Sequence, residues 1–436
     1  MNLITAEEPR PFRLSPAQGT LLLLIALNLL NFIDRYILPG EVTLIQHEFH
    51  ATDQQMGALT TALFVVYLLV APLTGWLADI FPRKPLIVLG AVCWSLATLA
   101  TVWVHDYQTL YLRHALVGVG EATFTFLAPT VLADFYPARE RNRILSIFYA
   151  AIPIGAAMGY LAGGMIGSHW GWRTPFLVCG APGILVAALY GFWGSEPERG
   201  ACDAVRSVRA PRPKNLGEYL HATALLLRSF IHLFTNPAYM TATFGLAMLT
   251  FAMGGISAWV PTFLSRVGGL SVGNASMAVS AITVVDGIGG TLVGGWIAQR
   301  WLRTNHRALY LLSFWSVALT LPCGVLLFFG PHAWAVPSLS LAEFFLFLNT
   351  GPLNTAIVNS VGAPVRATAI GLNLFFIHAF GDTFSPQIIG AISDRTNLSM
   401  GLGATLITLL FSCALLFLGA RFAPPMEDAG DRAVQS

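Results

Sequence analysis

Twelve apolar runs, each about twenty residues long and separated by short polar connectors, constrain this chain more than any other feature. They cover about 19–39, 54–80, 85–104, 107–134, 143–167 and 173–193, then 237–264, 273–298, 307–329, 333–358, 367–391 and 398–421. Runs of that length cross a hydrocarbon core of about 30 Å as helices, because a backbone in lipid must satisfy its own N–H and C=O groups. Composition agrees: 55% of the residues are hydrophobic and 11% are charged, against about a quarter charged in soluble domains. The expected fold class is an all-α membrane protein with twelve transmembrane helices.

The basic residues orient it. Nineteen of the 24 Lys and Arg collect on one side of the runs, only Arg173, Arg266 and Arg395 fall on the other, and Arg35 and Arg113 lie within runs. The positive-inside rule then puts both termini in the cytoplasm. Residues 1–18 are polar and the first run is long enough to span, so no cleavable leader is expected. The one long polar stretch, 196–236, carries Arg206, Arg209, Arg212 and Lys214 beside Pro211 and Pro213. It divides the chain into an N-terminal six-helix bundle (1–195), a cytoplasmic linker with an interfacial helix over about 216–234 (196–236), and a C-terminal six-helix bundle (237–436). Gly75-Trp76-Leu77-Ala78-Asp79 at the end of the second run recurs as Gly295-Trp296-Ile297-Ala298-Gln299 at the end of the eighth. Two parallel six-helix pseudo-repeats enclosing a central site suit a rocking carrier.

Several function classes drop out. A net charge of +2 gives nucleic acid no footprint. The five cysteines show no CxxC spacing, and neither a phosphate-binding G-x-x-x-x-G-K-[ST] loop nor H-E-x-x-H is present, which argues against an ATP-driven pump and a metal-dependent lipid enzyme. No cofactor is expected beyond a proton as coupling ion. The expected partners are membrane lipids and an amphipathic small molecule, and the expected working unit is a monomer. Brief tails without appended domains suggest the inner membrane of a bacterium.

Charges inside the runs mark the candidate site, since an ionised side chain at mid-bilayer costs at least about 2.5 kcal/mol and is placed there for pathways. In Asn28-Leu29-Leu30-Asn31-Phe32-Ile33-Asp34-Arg35-Tyr36, the residues Asn28, Asn31 and Arg35 fall within about 60° on a helical wheel, while Asp34 points about 100° away. Glu121 lies about 21 Å into the fourth run, near mid-membrane. His114, Gly118, Glu121 and Thr125 share its face, and Arg113 is turned about 80° from Glu121. In the second half, Glu343, Thr350 and Asn354 share one face and His378, Asp382 and Ser385 another, and both faces are expected to line a cavity. Asp286 adds an acid to the eighth run, and Phe344, Phe345, Phe347, Phe375, Phe376, Phe380 and Phe384 would suit an acyl chain.

Gly75-Trp76-Leu77-Ala78-Asp79-Ile80-Phe81-Pro82-Arg83-Lys84 resembles the signature loop of the major facilitator superfamily, with Ile80 and Pro82 in place of its usual Arg and Gly. Asn31-Phe32-Ile33-Asp34-Arg35-Tyr36, Leu116-Val117-Gly118-Val119-Gly120-Glu121-Ala122, Phe148-Tyr149-Ala150-Ala151-Ile152-Pro153-Ile154-Gly155 and Glu196-Pro197-Glu198-Arg199-Gly200 resemble the spinster branch of that superfamily, the proton-linked lysolipid and sphingolipid transporters. The resemblance implies a proton-coupled secondary transporter working by alternating access, with export of drugs or small organic anions as the runner-up. It implies gating roles for Asp79, Arg83 and Asp134, and proton coupling at Glu121, with Asp34, Arg35 and His114 in support. By resemblance Arg35 also anchors an anionic headgroup, and from the polar helix faces Asn28, Asn31, Arg113, Thr125, Glu343, Asn354, His378 and Asp382 are expected to contact substrate. One position departs from the pattern: the helix-4 arginine of the superfamily is His114 here, with Arg113 beside it. Either Arg113 swings in to serve, or a titratable imidazole has replaced a fixed charge. Gly155-Ala156-Ala157-Met158-Gly159-Tyr160-Leu161-Ala162-Gly163-Gly164 spaces small residues for close helix packing.

Overall fold

The structure is a computed structural model and describes residues 15–202, 230–231, 233–362 and 365–425. The first half contributes α1 (Pro16–Phe49), α2 (Asp53–Ile80), α3 (Arg83–Ala100, extended by a 3-10 turn), α4 (Tyr107–Phe135), α5 (the span Arg143–Trp170) and α6 (Thr174–Trp193). The second half contributes α7 (Pro237–Arg266), α8 (Val272–Leu302), α9 (Ala308–Phe329), α10 (the span His332–Asn359), α11 (Arg366–Ile377, a π turn His378–Asp382, and Ser385–Arg395) and α12 (Leu398–Gly419). Among the described residues, eleven helices are long and apolar enough to cross a membrane without a break. The remaining run, the eleventh, is α11, which Gly381 unwinds (φ −101°, ψ −107°) and Pro386 restarts at the first turn of its second segment. Most of the expected interfacial helix, and both chain ends, lie outside the described residues.

Helix starts follow local chemistry. Ser15 with Gln18, and Thr52 with Gln55, form capping boxes, while Asp106, Asn236, Ser271 and Asn397 each accept a backbone N–H of the first turn. The small-residue stripe on α5 does pack closely. A Cβ at Gly159 would fall 2.5 Å from the Ile33 carbonyl, and one at Gly163 2.3 Å from that of Ile37. Helix α5 therefore lies against α1 backbone to backbone.

Each half has its own core, one around Leu27, Trp94, Phe124 and Phe148, the other around Tyr239, Tyr310, Leu353 and Leu416. A third cluster crosses the halves and joins Ile37 and Met56 to Trp259, Phe263, Ile389 and Leu402. It lies toward the end of the molecule opposite the basic loops, which will be called the outer end. There α2 packs on α11, and α5 packs on α8.

Candidate functional site

A cavity of about 330 Å³ lies between the halves. From the first half it is lined by Arg35, Tyr36, Phe64, His114 and Tyr160, among others, and from the second by Thr250, Ser257, Thr283, Glu343, Phe347 and Asp382. Among the described lining residues Arg35 is the one arginine or lysine. The guanidinium donates Nε and Nη2 to the same oxygen of Glu121, Oε2, at 2.9 and 2.5 Å. Its carbon lies 5.0, 5.3 and 5.7 Å from the ring centres of Phe32, Phe64 and Tyr67. Three rings therefore hold the cation by cation–π attraction while one carboxylate oxygen fixes its direction. Glu121 is fully buried behind Arg35 and does not line the cavity. Its second oxygen, Oε1, has no hydrogen-bond partner. Thr125, one turn beyond Glu121 on α4, lies beside Tyr67 of α2.

The polar stripe on α1 is divided by its neighbours, which corrects the expectation that all of it faces substrate. Asn28 donates to the Phe148 carbonyl of α5 at 2.9 Å and Asn31 is wholly enclosed, so neither reaches the cavity. Asp34 turns the other way, as the wheel implies, and accepts from Thr98 of α3 at 3.3 Å. The His114 and Arg113 alternatives are also separated. His114 occupies the cavity wall, whereas Arg113 is turned into the first bundle with its guanidinium 4.8 Å from the ring of Phe176. The 80° offset on α4 is the reason, since it aims Arg113 at α1 and α6.

In the second half, Glu343 and Asp382 reach the cavity, with Thr283 beside Glu343. Asp286 accepts from Ser340 at 2.7 Å. His378 bonds Asp382 through Nδ1 at 2.9 Å and stacks on Phe64 of the first half, with ring centres 5.8 Å apart. The π turn of α11 is what brings this pair to the junction, a common use of such turns. Asn354 corrects a second expectation. Helix α10 breaks at Asn349, and beyond the break Asn354 is exposed and bonds only the Thr350 carbonyl, at 2.7 Å. Phe375, Phe380 and Phe384 are likewise exposed, so Phe347 is the phenylalanine of that group that meets the cavity.

The three expected gating residues come together at the basic end. Arg83 pairs with Asp134 at 2.7 Å and Glu196 at 3.3 Å, and Arg199 approaches Asp79 at 3.8 Å. Glu196 also accepts the backbone N–H groups of Arg83 and Lys84, capping α3. Burial opposes its charge, but those two N–H groups and the Arg83 guanidinium hold its carboxyl below the ordinary range. These partners belong to the first half or to the start of the linker that follows it, and none of them to the second half.

At the outer end the polar contacts cross between halves, and sequence reasoning missed them. Asp53 of α2 accepts from Arg266 of α7 at 2.8 Å and from Ser393 of α11 at 2.6 Å. Asp394 caps α2 by accepting the N–H groups of Asp53 and Gln54 at 2.8 and 2.9 Å. Nearer the cavity, Thr61 donates to the Thr383 carbonyl, Tyr160 to that of Ser257 and Ser280 to that of Ala157. Arg266 was the usable signal, being one of three basic residues expected on that side.

The sequence profile of the Major Facilitator Superfamily matches residues 24–386. The chain is 33% identical over 395 residues to Protein spinster homolog 1 of Xenopus tropicalis, covering 86% of this chain and 72% of that protein. It is 29% identical over 389 residues to the sphingosine-1-phosphate transporter SPNS2 of Danio rerio, covering 84% and 74%. Its fold is similar to that of a bacterial homolog of the human lysosomal transporter spinster, crystallised inward-facing and unoccupied, with a TM-score of 0.81 at 22% identity over 94% of this chain and 98% of that one.

Proposed function

The chain belongs to the major facilitator superfamily, in its spinster-like branch, and from that premise we propose that it carries lysophospholipid or sphingolipid-like amphiphiles across the membrane by proton-coupled alternating access. It is a multi-pass membrane transporter, and the reading places it in a bacterial inner membrane as a monomer. The observation that carries the proposal is the Arg35–Glu121 pair behind a cavity shared by both halves. An anionic headgroup entering the cavity and the Glu121 carboxylate compete for one guanidinium. Protonating Glu121 removes its claim, so proton and anion favour each other's binding, and by linkage each raises the other's affinity equally. The apolar remainder of the wall, including Phe64, Leu346 and Phe347, accepts a chain. Polar groups from both halves bring the site under the control of their relative motion.

Proteoliposomes loaded with lysophospholipid test this. Glu121→Gln is expected to abolish stimulation by a pH gradient while leaving ligand binding measurable, and unaltered stimulation would refute the coupling role. A second reading, proton-linked export of drugs or small organic anions, is favoured by the cavity volume, which sits near the low end of the roughly 300 to 1,000 Å³ typical of small-molecule sites. Stronger competition by a small aromatic acid than by lysophospholipid would select it.

A further inference from the structure

Glu41 is a fully buried carboxyl whose two oxygens have no hydrogen-bond partner. It stands where Pro39 and Gly40 distort α1, and its own backbone leaves the helical region (φ −133°, ψ 16°). Seven residues separate it from Asp34, so the two acids share a face of α1, stacked about 10 Å apart along the axis. Both face Arg113, which interacts electrostatically with each and whose Nε and Nη2 are buried without a partner.

The neighbours of Glu41 can be taken helix by helix. Helix α4 brings Arg113 and α6 brings Cys179, while Thr98 of α3 is taken by Asp34. Helix α5 brings glycine, and a Cβ at Gly167 would fall 2.7 Å from Glu41 Oε2. Helix α8 reaches that part of α1 through Ser276, whose hydroxyl is bound to the Gly40 carbonyl. Arg266 of α7 is engaged by Asp53 and Gln46. Beyond Glu41 on α1, Glu48 is paired with Arg173 at 2.7 Å.

Away from the helix ends, the described residues of the first half thus set three buried carboxyls, Asp34, Glu41 and Glu121, against two guanidiniums, the buried Arg113 and the cavity-lining Arg35. Glu121 has Arg35 to itself. Asp34 and Glu41 share Arg113, and an unpaired carboxylate in such a place is far costlier than a neutral acid. Asp34 has the Thr98 hydroxyl to support its charge and Glu41 has no donor. His114 is a poor holder of the balancing charge, because its Nδ1 is buried without a partner and the adjacent residue is Arg113. We infer that Glu41 carries a bound proton in this conformation and forms, with Arg113 and Asp34, a proton-binding site separate from Glu121. The site stands about 12 Å from the outer end of α1, counted to Phe49. Asp34 interacts with both Arg113 and Glu121, so the proton on Glu41 is linked electrostatically to the cavity pair. The inference is independent of what is transported.

Infrared difference spectra of the purified full-length chain in lipid test it through the C=O stretch of protonated carboxyls at neutral pH. Glu41→Gln is expected to remove one carboxyl's worth of band area and Glu41→Asp to keep it at a shifted frequency. Thermal unfolding supplies the second readout. Glu41→Gln keeps the parent melting temperature if the acid is neutral, whereas an ionised Glu41 would leave Arg113 without a counter-ion on substitution. The proposal is overturned by an unchanged band in Glu41→Gln, by an unshifted band in Glu41→Asp, or by a marked fall in melting temperature or loss of folding in Glu41→Gln.

Discussion

The two ends of the molecule use the same chemistry in opposite ways. At the basic end Arg83, Asp134 and Asp79 of the first half bind one another and Glu196 and Arg199 at the start of the linker, through contacts that do not reach the second half. At the outer end Asp53, Arg266, Ser393 and Asp394 bind across the halves, over an apolar cluster that also crosses them. Charge clusters within a half hold its loops in place and leave the halves free to separate at that end. Clusters between halves hold them together. Among the described residues, the outer end is where polar and apolar contacts tie the halves together.

The largest expected effect comes from breaking the outer contact sterically. A Cβ at Gly57 of α2 would lie 2.2 Å from the Pro386 carbonyl oxygen of α11, with backbone on both sides of the clash. Gly57→Val is expected to disfavour the closed outer end by about 1–3 kcal/mol, a shift of roughly 5- to 150-fold in the equilibrium between states. Distances between spin labels on the outer ends of α1 and α7 would read it, lengthening as the halves part. An unchanged distance distribution would mean that this contact does not govern closure.

Next is the polar layer above it. Asp53→Asn removes the charge that Arg266 and Ser393 answer, while Asp394 still caps α2. The loss of charge-assisted bonds at a partly buried site is expected to cost about 1.5 kcal/mol, about tenfold in population, in the same direction as Gly57→Val. Asp394→Asn should act more weakly, because an amide oxygen still accepts one backbone N–H.

These contacts mark the limit of what the chain discloses by itself. The membrane-spanning helices follow from lipid thickness and were legible, with α11 the exception, whose break is hinted at only by Gly381 and Pro386. Within the site, the wheel gave the azimuth of Arg35, Asp34 and His114 but no neighbours. Each helix of a six-helix bundle has two enclosed sides, the cavity and the bundle interior, and either can hold a polar side chain. Asn28, Asn31 and Arg113 fell on the interior side for that reason, and Asn354 was carried away by a break in α10. Asp53 and Arg266 sit at helix ends, where charges are common without crossing to a partner.

The basic end should respond in stability and not in state. Arg83 is nearly buried between Asp134, Glu196 and Thr130. Arg83→Gln leaves two carboxylates without their cation and is expected to lower unfolding stability by about 1–3 kcal/mol. Since none of its described partners lies in the second half, the labelled outer distances should shift by less than about twofold in population. A large change of state with unaltered melting would show that this network is a gate already engaged with the second half.

The smallest effect belongs to Glu196, and its sign is fixed by pH. The carboxyl sits below its ordinary value in the folded chain because of the Lys84 and Arg83 N–H groups and the Arg83 guanidinium. A carboxyl depressed on folding contributes stability that is fully present above its unfolded value, about 4.3, and is lost as pH falls through the lowered folded value. The difference in melting temperature between the parent and Glu196→Gln is therefore expected to stay constant from neutral pH to about 5 and to shrink only below about 4.3. A difference that shrinks already between neutral pH and 5 would mean that Glu196 is not ionised against Arg83, and would remove the cap of α3 from the account of how the basic end is held within one half.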